Sequence, residues 1–301
     1  MAKKENSITE IERKNKHTRV EQGLIHLLFI LLCSLIVLPV ILTVIVSFSS
    51  ERSVLQYGYS FFPTEWSLDA YKFVFSDNSI FTAYGVTIFV TVVGTFLSVL
   101  ICSLCGYVIS RPQLKYRNVI AMYLYIPTIV GAGLIPWYYT VKEVLHLANT
   151  IWVLILPSLV STYNIFLIRN FYKSIPDSFS EAAQIEGAGA ITIFYKVIFP
   201  LSLPITATIV LFVSLGYWND WFNATWFIDF NHSELYPLQY YLFKTWDRLT
   251  AASGSGSGSG TVPTETGYIA TMFVTMGPII LVYPFVQKYF MKGLMVGGVK
   301  G

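Results

Sequence analysis

In this chain of 301 residues, 54% of the residues are hydrophobic and 12% are charged, whereas about 25% charged residues is usual in a soluble domain. The composition excludes an ordinary soluble domain and predicts an integral membrane protein. The net charge of +3 is small, so the position of the basic residues matters more than their sum, and we expect no nucleic-acid partner.

Residues 1–21 form a polar N-terminal segment, and an uncharged run follows it. This run is too long for a signal-peptide core and lacks an obvious cleavage site, so it predicts an uncleaved first span in which Pro39 is tolerated as a kink. Five more apolar runs follow, which makes residues 22–301 an all-α membrane domain of six spans. The predicted spans are 23–48, 81–110, 119–141, 150–167, 201–218 and 267–290.

The connections between the spans differ in length and charge. A basic turn, 111–117, joins the second span to the third, and a tight hairpin, 142–146, joins the third to the fourth. The connection 219–266 is long and polar, and it contains a strict Ser-Gly alternation over 253–260 that is typical of a linker. The sequence leaves open whether this alternation is natural or engineered.

Lys and Arg residues indicate the orientation of the chain. With the N-terminus in the cytoplasm, fifteen of the 20 Lys and Arg residues lie on the cytoplasmic side. The positive-inside rule therefore places both termini, the tail 291–301 and the insert 174–200 in the cytoplasm, and 219–266 on the outer side.

The predicted spans contain essentially no charged residue. Ion-coupled carriers usually need charged groups or broken helices near mid-membrane, so energy is expected to come from elsewhere. The glycines of a nucleotide-binding loop and the common hydrolase motifs are missing, so we expect no enzyme activity and no ATP hydrolysis by this chain. The cysteines Cys33, Cys102 and Cys105 lie within apolar runs, which predicts neither a disulfide framework nor a metal site.

The insert reads as two short helices joined at a glycine. Pro176 and Asp177 suit a helix start, and Gly187 follows the last good helix formers, where a residue able to adopt positive φ lets the chain turn. A second helix is predicted from about Ala190 to Phe199, ending before Pro200.

This spacing resembles the EAA signature of binding-protein-dependent ABC importer permeases. The matching positions are Glu181, Ala182, Ala183, Glu186, Gly187, Ala188, Phe194, Val197 and Pro200. Glu186 stands where Asp is commoner, and Val197 and Phe199 replace the usual Ile and Leu. The resemblance covers about 81–301, and the alternative is an amphipathic interfacial helix with coincidental alanines.

The resemblance implies a type I ABC importer permease of the bacterial cytoplasmic membrane. The insert would be a coupling helix, with Glu181 as the charged contact with an ATPase, Ala182 and Ala183 as the close-packing face and Gly187 as the turn. The implied partners are a second homologous permease, two ATPase subunits, an extracytoplasmic solute-binding protein and membrane lipid. This chain would bind no cofactor, since ATP and Mg would lie on the ATPase subunits.

The glycine-rich C-terminus, including Gly297, Gly298, Lys300 and Gly301, resembles the ending of carbohydrate-importer permeases that handle oligosaccharides. In such importers the tail can enter the interface between the ATPases; the alternative is a frayed basic tail. By position, 229–266 resembles the loop that some sugar-importer permeases insert into the binding protein.

Aromatic and amide residues cluster near the outer ends of two predicted spans. They are either interfacial anchors or parts of a sugar pathway, in which rings stack on sugar faces and amides bind hydroxyls. These candidates are Trp137, Tyr138, Trp218, Asn219, Trp221 and Asn223. The predicted substrate is an oligosaccharide; the alternatives are an importer for a peptide, an amino acid or phosphate, and a secondary carrier.

Overall fold

A computed structural model describes residues 19–254 and 263–280. Within these ranges the regular structure is helical and no strand forms, although Ser49 and Trp66 make an isolated antiparallel bridge. The chain divides into two compact units. The first comprises Met1–Tyr71 and Gly260–Ala270, and the second comprises Lys72–Ser259 and Thr271–Gly301.

The helices follow one another through short connections. The α-helices are α1 (Arg19–Ser47), α2 (Glu51–Tyr57), α3 (Asp69–Ser76), α4 (Ser79–Ser110), α5 (Arg117–Ile129), α6 (Leu134–Tyr139), α7 (Thr162–Ser174), α8 (Ser178–Ile185), α9 (Ala190–Ile193), α10 (Phe199–Leu201), α11 (Leu203–Trp218), α12 (Phe222–Phe227), α13 (Leu238–Gly254) and α14 (265–280). Two π-helical segments, Thr140–Val144 and Phe194–Ile198, continue α6 and α9. The 3₁₀-helices are Ile151–Leu154, Leu156–Ser158 and Phe230–Leu235.

Two of the described helices are long and apolar enough to cross a membrane without a break, namely Glu21–Ser47 and Ser79–Ser110. They correspond to the first two predicted spans. Three further apolar pairs of helices are each bent at a short break, which gives up to five spans in the described ranges if each pair counts as one. Of the sixth predicted span, 267–280 is helical and the rest lies outside the described residues.

The third and fourth predicted spans are therefore bent, whereas their apolar sequences suggested uninterrupted helices. The fifth predicted span corresponds to the unbroken helix α11, and the bend next to it lies at its start, where the insert's second helix ends. The bend is 115° between α5 and the helix 134–144, 49° between 151–158 and α7, and 82° between 190–201 and α11. The first break coincides with Gly133, whose φ of +83° is readily adopted only by glycine. Prolines near the breaks add to this, because each removes a backbone donor.

The insert's second helix runs two residues further than predicted, to Leu201, so it does not end before Pro200. The chain instead passes from α9 through the π-helical segment into α10, which contains Pro200 in its first turn. Proline is tolerated there because the first turn of a helix does not need its N–H. The helical path bends at Ser202, before α11.

The segment 219–266 contains helices where the sequence suggested a long polar connection. In α13, Leu238, Tyr241, Thr245 and Leu249 are buried and recur every three or four residues, which is the spacing of one helix face. Residues 255–262, which include most of the Ser-Gly alternation, lie outside the described residues.

In the first unit, Glu51 fixes the start of α14. Its carboxylate accepts hydrogen bonds from the backbone N–H groups of Thr264, Glu265 and Thr266 at 3.0, 3.0 and 2.9 Å, and from the Thr266 hydroxyl at 2.7 Å. These donors have no partner within the helix, and a negative charge is favourable at a helix N-terminus. Tyr59 adds a hydrogen bond from its hydroxyl to Glu265, at 2.8 Å.

In the second unit, α4 packs closely on two later helices. A Cβ built on Gly94 would lie 2.6 Å from the ring of Tyr217 in α11, and one on Gly106 would lie 2.8 Å from Ile168 in α7. The Tyr217 hydroxyl donates to the Ile155 carbonyl at 3.0 Å, which fixes the ring against α4. Small residues of this kind let helix backbones approach in a membrane.

We expect Gly94→Ala to destabilise the protein by about 1–3 kcal/mol, because its methyl group overlaps the fixed Tyr217 ring. Gly85→Ala on the same helix is the matched control, since a Cβ there meets nothing within 4 Å. The measurement is the midpoint temperature of unfolding of the purified protein in detergent. Equal midpoints for the two variants would contradict the close contact between α4 and α11.

Candidate functional site

The first candidate site is the insert predicted to couple to an ATPase. Helix α8 begins after Pro176 and Asp177, and Glu181 supplies negative charge in its first turn. Asp177 occupies the N-cap position but makes no side-chain capping hydrogen bond. The negative charge nevertheless lies where the helix dipole favours it.

Helix α8 ends in a turn with positive φ, as the sequence predicted. Gly187 has φ +83°, and its N–H donates to the Gln184 carbonyl at 2.9 Å, while the N–H of Ala188 donates to the Ala183 carbonyl at 2.9 Å. This pair of hydrogen bonds is the Schellman pattern, which satisfies the last carbonyls of a helix. Glu186, the C-cap residue, precedes the turn.

The two faces of the insert differ. Ala183 and Ala188 are half-buried and pack against the core of the second unit, whereas Glu181, Ala182 and Glu186 are exposed. Of the two predicted close-packing alanines, Ala182 is therefore the one available to a partner, while Ala183 holds the turn against the core.

Two isoleucines that the sequence analysis did not single out complete the exposed face. Ile185 is 88% exposed and Ile191 is 76% exposed. Both lie in the insert, outside the predicted spans, so exposure to lipid does not account for them, and together with the charged side chains beside them they suit a surface that a partner covers. The signal was present in the sequence, because both residues lie within the motif, between its matching positions.

Phe194 anchors the second half of the insert. Its ring is buried and lies 5.1 Å from that of Tyr107 in α4 and 5.9 Å from that of Phe199. Val197 is half-buried, and Pro200 is exposed. The aromatic position of the motif therefore fastens the insert to the protein, while its proline faces outward.

The second candidate site is a pocket of about 340 Å³ next to the end of α11. It is lined by hydroxyl, amide, aromatic and carboxylate side chains. The residues are Ser98, Ser158, Asn164, Val213, Gly216, Tyr217, Asn219, Asp220, Trp221 and Phe222. Its amide and hydroxyl groups suit a ligand rich in hydroxyl groups.

Asp220 organises the polar side of this pocket. One of its oxygens accepts hydrogen bonds from the N–H groups of Phe222 and Asn223 at 3.0 and 3.2 Å, and the other accepts one from the Asn223 amide at 2.6 Å. The two hydrogen bonds from backbone N–H groups cap the start of α12. The hydrogen bond from the Asn223 amide orients that side chain, which also donates to the Ser158 hydroxyl at 3.4 Å. Burial raises the pKa of the Asp220 carboxyl, and these hydrogen bonds act in the opposite direction.

Only some of the predicted pathway residues line this pocket. Asn219 and half-exposed Trp221 do so, and Asn223 lies buried behind it. Trp218 is buried and donates from its indole N–H to the Thr275 carbonyl at 3.4 Å, which is a structural contact.

Trp137 and Tyr138 form a neighbouring aromatic cluster. Trp137 stacks on Phe222 with ring centroids 5.6 Å apart, and Tyr138 stacks on Phe227 at 5.5 Å. Both are half-buried. This cluster supports α12 from the side, and Phe222 connects it to the pocket.

The tail residues Gly297, Gly298, Lys300 and Gly301 lie outside the described residues. Across 19–254 and 263–280, no group of three or more His, Cys, Asp or Glu side chains is placed to hold a metal ion.

In the described residues, several apolar helical spans, an exposed turn between two of them and a polar pocket among them fit the membrane component of a transporter. Residues 24–296 match the family described as the binding-protein-dependent transport system inner membrane component, and the chain belongs to this family. The EAA resemblance is thereby confirmed.

Two relatives from Bacillus subtilis (strain 168) cover most of the chain. Protein LplC is 36% identical over 88% of this chain and 90% of its own length. The polygalacturonan/rhamnogalacturonan transport system permease protein YtcP is 38% identical over 91% of this chain and 95% of its own length.

A solved structure shares the fold. It is a crystal structure of a bacterial ABC transporter involved in the import of the acidic polysaccharide alginate, and one of its chains matches with a TM-score of 0.79 and 32% identity, covering 91% of this chain and 99% of that chain. This similarity confirms the predicted all-α membrane fold of a type I ABC importer permease.

Proposed function

We propose that this chain is the transmembrane subunit of an ABC importer that moves an oligosaccharide across the bacterial cytoplasmic membrane. The observation that carries the proposal is the insert, in which the Gly187 turn holds Ala183 and Ala188 on the core and leaves Glu181, Ala182 and two isoleucines exposed. Such a surface suits docking into a partner groove.

The chemistry of the pocket supports a sugar. Trp221 offers a half-exposed ring for the apolar face of a sugar, and Asn219, Ser158 and Asn164 offer amide and hydroxyl groups for its hydroxyls. The name of YtcP and the description of the alginate transporter refer to polysaccharides, which favours a saccharide over a peptide, an amino acid or phosphate.

Transport would proceed by alternating access driven by ATP hydrolysis on two separate ATPase subunits, where ATP and Mg are bound. A second permease would complete the pathway, and an extracytoplasmic binding protein would deliver the solute. Glu181 would make the charged contact with the ATPase. The distribution of Lys and Arg supports a cytoplasmic position for both termini and for the insert.

The test is ATPase activity of the complete purified transporter, reconstituted with its binding protein, against a panel of oligosaccharides and other solutes. We expect at least one oligosaccharide to stimulate ATP hydrolysis several-fold. Stimulation by a peptide, an amino acid or phosphate alone would support the proposed ABC importer but overturn the proposed oligosaccharide substrate. If the chain transported solute without any ATPase subunit, it would be a secondary carrier, and the proposal of an ABC importer for an oligosaccharide would be overturned.

A further inference from the structure

Arg111, at the C-terminal end of α4, holds the first half of the insert. Its Nη1 donates to the Ser180 hydroxyl at 3.0 Å and lies 4.0 Å from the Asp177 carboxylate. Ser180 is buried, with 4% of its surface exposed, and the Arg111 side chain is 20% exposed, so this hydrogen bond is partly shielded from water. A charge-assisted hydrogen bond is stronger in such surroundings than one at the surface.

Tyr107, one turn earlier on α4, holds the second half of the insert. Its hydroxyl donates to the carbonyl of Ala190, the first residue of α9, at 3.3 Å, and its ring packs against that of Phe194. The guanidinium of Arg111 lies over the same ring, 4.4 Å from its centroid. Arg111 and Tyr107 therefore act as one unit that contacts α8 and α9 together.

Little else fills the space between α4 and this part of the insert. A cleft of about 400 Å³ lies there, lined by Tyr107, Arg111, Gln113, Gln184 and Ala188 among others. Beside the cleft, Phe194 packs against Tyr107, and Ala188 packs against the core. Arg111 and the Tyr107 hydroxyl add hydrogen bonds to this packing, and Arg111 is the residue that contacts Ser180 in α8.

The guanidinium is not saturated in this conformation. Its Nε is buried and has no hydrogen-bond partner. The hold of Arg111 on the insert therefore comes from its Nη1 and from the stack of the guanidinium on the Tyr107 ring, not from Nε.

We propose that Arg111 is a positioning residue that transmits the tilt of the insert to α4, an inference that rests on the proposed coupling function. When a partner moves the exposed face of α8, the hydrogen bond to Ser180 and the stack on Tyr107 move the end of α4 with it. Since α4 contacts α11 through Gly94 and α7 through Gly106, the movement reaches the helices around the pocket.

The test compares ATP hydrolysed with solute transported by the complete transporter in proteoliposomes with its binding protein. For Arg111→Gln we expect uptake to fall about tenfold while stimulated ATP hydrolysis stays within about twofold of the unmodified complex, so the ATP used per solute rises about fivefold or more. Arg111→Lys keeps the positive charge but not the planar guanidinium. Its ratio of ATP hydrolysed to solute transported should therefore lie between those of the unmodified complex and Arg111→Gln.

Lys115→Gln is the matched control, because Lys115 is exposed and lies over the ring of its neighbour Tyr116. This change removes one positive charge from the turn 111–117 that also contains Arg111, and it should leave the ATP used per solute unchanged. Ser180→Ala should also raise the ATP used per solute. Combining it with Arg111→Gln should raise this ratio little further, because both changes remove the same hydrogen bond.

Equal losses of uptake and ATP hydrolysis in Arg111→Gln would overturn the inference. If that variant does not assemble, Ser180→Ala decides, since it removes a single hydroxyl, and an unchanged ratio would again overturn the inference. Failure of the proposed function looks different, because the unmodified complex would then show no solute-stimulated ATP hydrolysis at all.

Discussion

Gly187→Val should reduce uptake about tenfold or more while the protein still inserts into the membrane in normal amounts. Gly187 has φ +83°, a conformation that costs an L-residue about 1–2 kcal/mol. Valine is branched at Cβ, which raises this cost further. The Schellman hydrogen bonds of Gly187 and Ala188 depend on this conformation. Losing it would displace the exposed face of the insert from the groove it is proposed to fit.

Gly189→Val is the matched control. A Cβ at either glycine meets nothing within 4 Å, but Gly189 has φ −74°, which any residue adopts. Gly187→Asn is a second control, because asparagine tolerates positive φ better than other non-glycine residues, and it should retain most of the uptake. The measurement is the initial rate of labelled-oligosaccharide uptake, normalised to the amount of protein in the membrane.

If the two valine variants lose uptake equally, the sign of φ at the turn does not matter and crowding at the surface explains the loss. If neither loses uptake, the insert does not couple through this turn. Only a large loss at Gly187 with little at Gly189 supports the role of the Schellman turn.

The turn could be predicted from sequence because its causes are local. Pro176, Asp177 and Gly187 mark the start and the end of α8 through backbone preferences that act within a few residues. Pro200 shows the limit of the same reasoning. A proline indicates a nearby break but not the residue at which the helix ends, because Pro200 is accommodated in the first turn of α10 and the path bends only at Ser202.

The spans show a similar limit. An apolar run of sufficient length predicts that a segment enters the membrane, and α1 and α4 are indeed continuous. Composition does not reveal whether a helix bends on the way. The break occurs at Gly133, where φ is positive, and the sequence does not distinguish Gly133 from Gly131, the other glycine of the run.

The pocket was predictable only in part. Asn219 and Trp221 were found because they belong to one short aromatic and amide cluster in the sequence. Ser98, Ser158 and Asn164 come from three other segments, and single hydroxyl or amide residues in apolar helices carry no distinctive signal. They meet because Gly94 lets Tyr217 approach α4, which is a long-range contact.

Asp220→Ala should lower the maximal uptake rate about fivefold, which corresponds to the roughly 1 kcal/mol typical for the loss of an N-cap. Asp220 caps α12 through the N–H groups of Phe222 and Asn223, and it also orients the Asn223 amide. Without it, the start of α12 and the neighbouring Trp221 would lose their fixed place in the pocket. The half-saturation concentration should change little, because in the proposed mechanism the binding protein captures the solute first.

A series at this position separates capping from charge. Asparagine and serine cap helices without a charge, so Asp220→Asn should restore most of the rate and Asp220→Ser part of it, since serine is too short to reach the Asn223 amide. Asp247→Ala is the control, because Asp247 is an exposed carboxylate paired with Lys244 at 3.6 Å and should tolerate the change. If Asp220→Asn were as slow as Asp220→Ala, the negative charge itself would be needed in the pocket, and a role limited to capping would be wrong.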